Sequence, residues 1–241
     1  MSERGAAGAG APSNGARFEL VVFDWDGTLV DSTAAIVDAI RMSAADLGLP
    51  VPSRQQASHV IGLGLLEAIH LAVPEIERPQ IPAFVDRYRH HFLRRDAQLQ
   101  PFDGIPSLLI ELEAAGALLA IATGKSRAGL NRALTQTGWN RHFVTTRCAD
   151  EGAPKPDPWM MRDICEELGT APGRAVMIGD TTHDLRMAAA AGAQAVAVTY
   201  GAHPEDELRA AAPAAIVGSV PQLRGWLLSR ISPFAGSASE G

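Results

Sequence analysis

The fold of this chain is decided near its N-terminus by the stretch FELVVFDWDGTLVDS, residues 18–32. The run from Phe18 to Phe23 is mostly apolar and rich in β-branched residues, and it is halted by the acidic, glycine-containing sequence Asp24 to Gly27. This pattern predicts a short buried strand that ends in a turn. From Ser32 onward, apolar residues recur at helical spacing until Gly48, so a helix is expected to follow the turn directly.

Short apolar runs alternate with helical segments through the second half of the chain. Helices are predicted near 105–115, 126–137, 157–168, 182–191 and 221–228, and strands over Leu118 to Ala122, His142 to Thr146, Ala175 to Ile178, Ala195 to Val198 and Ala215 to Val217. Strand and helix alternating at this spacing are typical of right-handed crossover units. We therefore expect an α/β fold, with a Rossmann-like, mainly parallel sheet that carries helices on both faces.

A wholly helical segment interrupts this alternation after the first strand. It runs from about residue 31 to 98 and includes helical patterns over Leu65 to Leu71 and Ile81 to Arg95. We expect a helical domain, residues 31–98, inserted into a discontinuous α/β core formed by residues 17–30 and 99–230. Residues 1–16 are expected to be a disordered tail and residues 231–241 a flexible one.

The composition is that of an ordinary globular protein. Of 241 residues, 46% are hydrophobic, and 21 basic against 27 acidic side chains give a net charge of -6, which disfavours nucleic acid as a partner. The two cysteines, Cys148 and Cys165, are expected to be reduced core thiols rather than a disulfide. No apolar run is long enough to span a membrane, so no membrane association and a cytoplasmic location are expected.

Chemically useful groups follow three of the predicted strands, and another, Lys155, stands before the helix predicted near 157. They are Asp24 and Asp26, Thr123 and Gly124, Lys155, and Gly179, Asp180 and Asp184. Each motif alone is typical of a turn or a helix cap. The carboxyl ends of parallel strands, however, meet at one edge of a sheet, where ligands bind. Carboxylates crowded there need a cation, and oxygen ligands without a histidine or cysteine cluster favour Mg²⁺ over zinc or copper.

Four of these stretches resemble, in order, the motifs of haloacid dehalogenase superfamily phosphatases. Residues 21–32 resemble the first motif, residues 121–125 the second, Lys155 within 153–158 the third, and residues 178–184 the fourth. The resemblance extends from about Phe18 to Leu228. It is weakest in the helical insert, which is similar to the small cap domain of the phosphoglycolate phosphatase-like branch.

The resemblance implies a catalytic role for four side chains. Asp24 is expected to attack phosphorus and form an aspartyl-phosphate. Asp26 is expected to protonate the leaving oxygen and then to activate water. Thr123 is expected to bind the phosphoryl oxygens, and Lys155 to offset charge at the nucleophile and phosphate.

The same resemblance implies the remaining phosphate and metal contacts. The backbone amides of Trp25 and Gly124 are expected to contact phosphate. Mg²⁺ would be held by the Asp24 and Asp180 carboxylates and the Asp26 backbone carbonyl, with Asp184 a direct or water-mediated ligand. The indole of Trp25 is expected to pack against the cap.

Several residues keep two interpretations at this stage. Lys125 is expected to be a solvated loop lysine, with phosphate contact as the alternative, and the basic stretch Arg87 to Arg95 a solvated helix face, with substrate contact as the alternative. The loop Gly62 to Gly64 is expected to face the active site. His183 is expected to be a loop residue near the metal, and the other histidines considered ordinary surface or core residues: His59, His70, His142 and His203.

The leading functional hypothesis is hydrolysis of a small phosphomonoester, phosphoglycolate or a sugar phosphate, by a monomer or homodimer. A sugar-phosphate mutase is the first alternative, although Thr28 stands where mutases of the family often carry a bulkier apolar residue. A dehalogenase is disfavoured because it lacks the second aspartate that Asp26 supplies. A catalytically silent binding or regulatory protein is disfavoured because no motif residue is missing.

Overall fold

The computed structural model describes residues 17–234. In this part of the chain six strands form one sheet: β1 Leu20–Phe23, β2 Leu118–Thr123, β3 Thr145–Cys148, β4 Ala175–Gly179, β5 Gln194–Val198 and β6 Ala215–Val217. They lie in the order β3-β2-β1-β4-β5-β6, and every paired neighbour is parallel. The expected Rossmann-like parallel sheet is confirmed. β1 lies at its centre, so Asp24 leaves the sheet between β2 and β4.

Ten α-helices lie within the described residues. They are α1 Thr33–Asp46, α2 Arg54–His59, α3 Leu65–Ala72, α4 Ile81–Asp96, α5 Ile105–Ala114, α6 Arg127–Thr137, α7 Trp159–Glu167, α8 Thr182–Ala191, α9 Glu205–Ala210 and α10 Val220–Leu228. The first four form the segment between β1 and β2. Within residues 17–234, no helix is both long and apolar enough to cross a bilayer.

Alternating residues of the strands supply two separate apolar layers. Val21 and Phe23 pack with one group of buried side chains, whereas Leu20 and Val22 pack with another on the opposite face of the sheet. Burial on both faces explains why the central strands read as continuous apolar runs. Helices α1 to α4 enclose a third apolar cluster of their own, which includes Phe92.

The strand expected over His142 to Thr146 is wrong in position. The structure begins β3 at Thr145 and ends it at Cys148. His142 instead follows a 3-10 helix, Trp139–Arg141, and its Nδ1 lies 2.8 Å from Oε2 of Glu113. Arg147 lies in this edge strand and pairs with Asp163 and Glu167. Because the strand contains a charged residue, a search for apolar runs does not detect it.

The C-terminal segment remains packed beyond the point where a flexible tail is expected to begin. Ile231 is buried and forms a bridge with Phe18 beside the sheet, and the backbone amide of Ser232 donates to the carbonyl of Phe18 at 2.8 Å. The expected tail over residues 1–16 and the remainder of the one expected over 231–241, from residue 235 on, lie outside the described residues. Both cysteines are free and buried.

Candidate active site

The sheet brings the predicted site residues to one edge. Asp24 directly follows β1, Thr123 ends β2, and Asp180 directly follows β4. The register aligns Phe23 with both Ile121 and Ile178, so these three strand ends lie side by side. Topology therefore places an acidic and a hydroxyl side chain around the end of β1.

Lys155 joins two carboxylates that are far apart in sequence. Its Nζ lies 2.7 Å from Oδ1 of Asp24 and 2.5 Å from Oδ1 of Asp184, and all three side chains are buried. Pro154 and Pro156 flank the lysine and restrict the loop that carries it. A buried ammonium between two carboxylates is stable only as a complete unit, because removing one partner leaves an unpaired buried charge.

Burial sets the pKa values in this group. It raises the pKa of Asp24 to about 7, against the opposing effect of Lys155 and with help from Asp184 and Asp26. Burial, followed by the charges of Asp24 and Asp184, also raises the pKa of Asp180 well above its ordinary value. Burial acts to lower the pKa of Lys155, but its two carboxylate partners outweigh it and raise that pKa overall. Three buried carboxylates therefore lie near a single ammonium that contacts only two of them, so the group is short of positive charge.

The same carboxylates fit a divalent cation. One ligand oxygen from each of Asp24, Asp180 and Asp184 can be chosen so that all lie within 4.8 Å of one another. Within residues 17–234, Oδ2 of Asp24 is buried and has no hydrogen-bond partner, so one nucleophile oxygen has open coordination. An all-oxygen donor set with excess negative charge suits a hard divalent cation.

Two of the three carboxylates, those of Asp180 and Asp184, have both oxygens held by this chain's own donors. Oδ1 of Asp180 accepts from the hydroxyl of Thr28 at 2.8 Å, and its Oδ2 accepts from the amide of Ala202 at 2.7 Å. Asp184 accepts from Lys155 on one oxygen and from the Thr181 hydroxyl, at 2.7 Å, on the other. Gly27 has φ +81° and lies against Asp180, where a Cβ would overlap the carboxylate. These contacts fix the orientation of both acids before a cation binds.

Asp26 has a separate set of partners. Its Oδ1 accepts from the hydroxyl of Ser32 at 2.6 Å and lies 2.9 Å from Nζ of Lys125. Ser32 is the N-cap residue of α1 and makes no side-chain cap there, and its hydroxyl proton is donated to Asp26. The Lys125 side chain is only 10% exposed and its Nζ lies 5.0 Å from the ring centroid of Phe92. The expectation of a solvated loop lysine is wrong.

The loop Gly62 to Gly64 lies against the second motif. A Cβ on Gly124 would stand 2.5 Å from the carbonyl oxygens of both Gly62 and Leu63. Only glycine permits so close an approach of the two backbones. The helical segment therefore contacts the α/β core directly beside Thr123, which is fully buried.

The expected packing of Trp25 against the cap is wrong. Trp25 belongs to the apolar cluster of the α/β core, and its ring centroid lies 5.7 Å from that of Trp139. The aromatic residues that approach the site from the helical segment are on α4, where Tyr88 stacks on Phe92 at 5.9 Å. Most of the basic side chains of this stretch are exposed, as expected: Arg87, Arg89, Arg94 and Arg95.

Three histidines expected to be unrelated form one cluster beside the site. The rings of His59 and His203 stack at 4.6 Å, and His183 meets His203 edge-on at 5.2 Å. His183 lies within α8 rather than in a loop, and its Nε2 is 3.1 Å from the carbonyl oxygen of His59. His203 accepts from the Thr182 amide at 3.1 Å through Nδ1, so its Nε2 carries the proton toward His59.

Sequence reasoning assigned no contact to several residues that support the acids. Thr28, Ser32 and Ala202 donate to Asp180 or Asp26 from the first motif and from the loop after β5. Thr28 and Ser32 stand within the motif that was recognised, so their position was a signal. Ala202 carries no such signal, because it acts through its backbone.

Comparisons with known proteins agree with this arrangement. A family model described as haloacid dehalogenase-like hydrolase matches residues 21–198. Among solved structures, a predicted phosphatase from Clostridium acetobutylicum is similar with a TM-score of 0.78 and 25% identity, over 89% of this chain and 100% of that one.

Several relatives of the chain are phosphatases by name. The chain is 38% identical to Probable phosphatase IndB of Dickeya dadantii, covering 86% of this chain and 92% of that protein. It is 32% identical to N-acetylmuramic acid 6-phosphate phosphatase of Pseudomonas aeruginosa, covering 79% and 86%. It is 30% identical to a phosphoglycolate phosphatase of Mesorhizobium japonicum, covering 90% and 98%.

Proposed function

Because this chain belongs to the haloacid dehalogenase-like hydrolase family, we propose that it is a Mg²⁺-dependent phosphatase that hydrolyses a small phosphomonoester through an aspartyl-phosphate on Asp24. The observation that carries the proposal is how the two carboxylate oxygens of Asp24 are bound. One of its oxygens is held by Lys155, and the other is buried and without a hydrogen-bond partner among residues 17–234. An oriented carboxylate with one open oxygen suits nucleophilic attack.

The first displacement joins Asp24 to phosphorus. A carboxylate oxygen of Asp24 forms a bond to phosphorus while the bond to the leaving oxygen breaks, and the carboxyl proton of Asp26 passes to that oxygen. Lys155 keeps the nucleophile oriented and offsets part of the charge. Thr123 and the amides of Trp25 and Gly124 bind the phosphoryl oxygens.

The second displacement frees Asp24. Asp26 takes a proton from water, the water oxygen attacks phosphorus, and the acyl-phosphate bond breaks to release phosphate and the Asp24 carboxylate. A bound Mg²⁺ would neutralise negative charge between the anionic nucleophile and the anionic phosphate. Asp24, Asp180 and the Asp26 carbonyl would hold it. Asp184, whose two oxygens are engaged by Lys155 and Thr181, would act directly or through water.

We propose phosphoglycolate or a sugar phosphate as the substrate. Relatives whose names specify one or the other cover most of this chain. The helical segment would select the leaving group, since α4 and the loop at Gly62 approach the site from that side. A mutase of the same superfamily would use the same nucleophile but return its phosphoryl group to a sugar rather than to water.

Phosphate release from a panel of phosphomonoesters tests the proposal. Wild type is expected to release phosphate stoichiometrically, with activity lost in EDTA and restored by Mg²⁺. Asp24→Asn, which keeps the shape but removes the nucleophilic charge, should lower kcat by at least about 10³-fold. Asp103→Asn, the same change at an exposed position, is the matched control. Equal turnover by wild type and Asp24→Asn would defeat the assigned nucleophile. Isomerisation of a sugar phosphate that needs a bisphosphate activator and releases no phosphate would favour the mutase.

A further inference from the structure

Lysine is used sparingly in this protein. Only Lys125 and Lys155 occur in 241 residues, and the remaining members of the 21 basic side chains are arginines. Both ammonium groups contact carboxylates of the active site: Lys155 contacts Asp24 and Asp184, and Lys125 contacts Asp26. An ammonium is a compact point charge, whereas a guanidinium is a wide planar fork. Both lysines of a chain that otherwise uses arginine pair with buried carboxylates of the active site.

Lys125 and Ser32 hold the same oxygen of Asp26. Ser32 donates to Oδ1 at 2.6 Å and the Lys125 ammonium lies 2.9 Å from it. The two anchors come from different parts of the chain, since Ser32 precedes the first helix of the inserted segment and Lys125 follows β2. The Lys125 and Asp26 side chains are 10% and 11% exposed, so solvent screens their attraction weakly. Two donors thus fix one oxygen of Asp26, and neither of them occupies the second oxygen.

The other face of the Lys125 ammonium meets the helical segment. Nζ lies 5.0 Å from the ring centroid of Phe92 on α4, within the range of a cation–π contact. Phe92 is itself buried in the apolar cluster of the helical segment, which fixes the position of its ring. Lys125 thus contacts the acid of the core and an aromatic ring of the insert at the same time.

We propose that Lys125 is a positioning residue that aims Asp26 at the leaving oxygen and does so when α4 is seated against the core. The inference rests on the proposed phosphatase function and deepens it. Bond breaking between phosphorus and a poor leaving oxygen requires the Asp26 proton at that oxygen, whereas a good leaving group departs without one. Misplacing Asp26 therefore penalises esters in proportion to the basicity of their leaving groups.

A series of substituted phenyl phosphates tests this role, from p-nitrophenyl to p-methoxyphenyl phosphate. These esters bind alike and carry no second anionic group, so a direct contact of Lys125 with substrate cannot mimic the effect. The quantity to compare is kcat/KM, which reports the steps up to phosphoryl transfer. In Lys125→Met, kcat/KM for p-methoxyphenyl phosphate should fall about 10- to 100-fold, and for p-nitrophenyl phosphate less than about threefold.

Companion variants separate positioning from general damage. Lys125→Arg should recover part of the loss, and added methylamine should partly rescue Lys125→Ala, which leaves a space for the amine, on the poor leaving groups. Phe92→Leu should also steepen the dependence of kcat/KM on the basicity of the leaving group, but less than Lys125→Met does. Exchanges of neighbouring exposed residues on α4, Leu93→Ala and Arg94→Met, should leave the dependence as in wild type.

Each contrary result has a distinct meaning. An equal fall for all phenyl esters in Lys125→Met would overturn the inference, because it would put Lys125 on the transferred phosphoryl group. A loss confined to phosphoglycolate would also overturn it and assign Lys125 to the carboxylate of that probe. An unchanged dependence in Phe92→Leu would refute the link to α4. If wild type released phosphate from no ester, the proposed function itself would be wrong and the role of Lys125 would fall with it.

Discussion

The hydroxyl of Thr28 donates a hydrogen bond of 2.8 Å to Oδ1 of Asp180, which joins the first and fourth motifs across 152 positions of the chain. Both side chains are fully buried. A threonine hydroxyl does not ionise, so Thr28 contributes by holding the Asp180 carboxylate in one orientation. Partners that orient a metal ligand in this way affect metal affinity even though they do not touch the cation.

Thr28→Val keeps the shape of the side chain and removes this hydrogen bond. We expect the Mg²⁺ concentration for half-maximal activity to rise about 10- to 100-fold, because Asp180 loses one of its two fixed donors. Thr28→Ser keeps the hydroxyl and serves as the control. Titration of phosphate release against Mg²⁺ measures the effect, and superimposable curves for wild type and Thr28→Val would contradict a role for the bond.

The sequence predicted the parts of the site that lie within contiguous motifs. β1, β2, β4 and β5 were placed to within two residues, because buried central strands read as apolar runs and the turn after β1 is marked by glycine. The parallel order of strands then brought Asp24 and Asp180 to one edge. These inferences needed only local pattern and the rules of parallel topology.

Features that depend on tertiary contact were not predictable in the same way. Lys125 stands in a loop next to a serine, and nothing local shows that a ring from α4 covers it. Trp25 follows the nucleophile, yet whether its indole turns to the core or to the insert depends on a partner, Trp139, far along the chain. The histidine cluster combines residues from α2, α8 and the loop after β5, so no sequence spacing reveals it.

Loss of the Lys155 ammonium should lower stability as well as activity. Lys155→Met leaves the buried carboxylates of Asp24 and Asp184 without their shared cation, and breaking a buried pair costs about 3–5 kcal/mol. Urea unfolding in EDTA measures the free energy of unfolding. Arg54→Met removes a well-exposed partner of Asp38 and should cost less than about 1 kcal/mol. Equal losses for the two variants would show that the buried pair has no special weight.

The stabilising effect of Mg²⁺ should increase with pH. Burial raises the pKa of Asp24 from 3.8 to about 7, so the folded metal-free protein binds more protons than the unfolded chain between those values. The contribution of Asp24 to the free energy of unfolding of the metal-free protein therefore falls as pH rises from 3.8 to about 7. A cation requires the deprotonated carboxylates, so the increase in Tm on adding Mg²⁺ should be larger at pH 8 than at pH 5.5.

Thermal melts at pH 5.5, 6.5 and 8, with and without Mg²⁺, measure this dependence. Asp24→Asn removes the titrating group and a ligand together, and should reduce the Mg²⁺ shift at pH 8. If the increase in the Tm of wild type on adding Mg²⁺ were independent of pH, protons and the cation would not compete for these carboxylates.

His203 should make the protein less stable in mild acid. Burial, with a contribution from His183, lowers the pKa of His203 from 6.5 to about 4. A proton on Nδ1 would point at the Thr182 amide, which is itself a donor. Because the unfolded chain binds the proton first, the stability contributed by neutral His203 is complete above pH 6.5 and is lost as pH falls toward 4.

The measurement is the difference in free energy of unfolding between wild type and His203→Asn, since acid also relieves repulsion among the site carboxylates. We expect this difference to shrink by on the order of 2 kcal/mol between pH 8 and 4.5. The exposed residue His70 provides the control His70→Asn, whose difference from wild type should stay nearly constant. If the difference in free energy of unfolding between wild type and His203→Asn were also constant with pH, His203 would not be held neutral by its burial.

The contact between Gly124 and the loop at Gly62 should be intolerant of a single methyl group. A Cβ at position 124 would lie 2.5 Å from the carbonyl oxygens of Gly62 and Leu63, a distance that real Cβ atoms do not reach, so one backbone must shift. Movement of the loop opens the side of the site next to Thr123 and disturbs the proposed phosphate contact of the Gly124 amide. Gly124→Ala should therefore lower kcat/KM for phosphoglycolate by about 10²-fold. Gly225→Ala, in α10 where a Cβ meets nothing within 4 Å, should leave activity unchanged and raise stability by about 0.5–1 kcal/mol. Wild-type kcat/KM in Gly124→Ala would show that the loop and the second motif are not in functional contact during turnover.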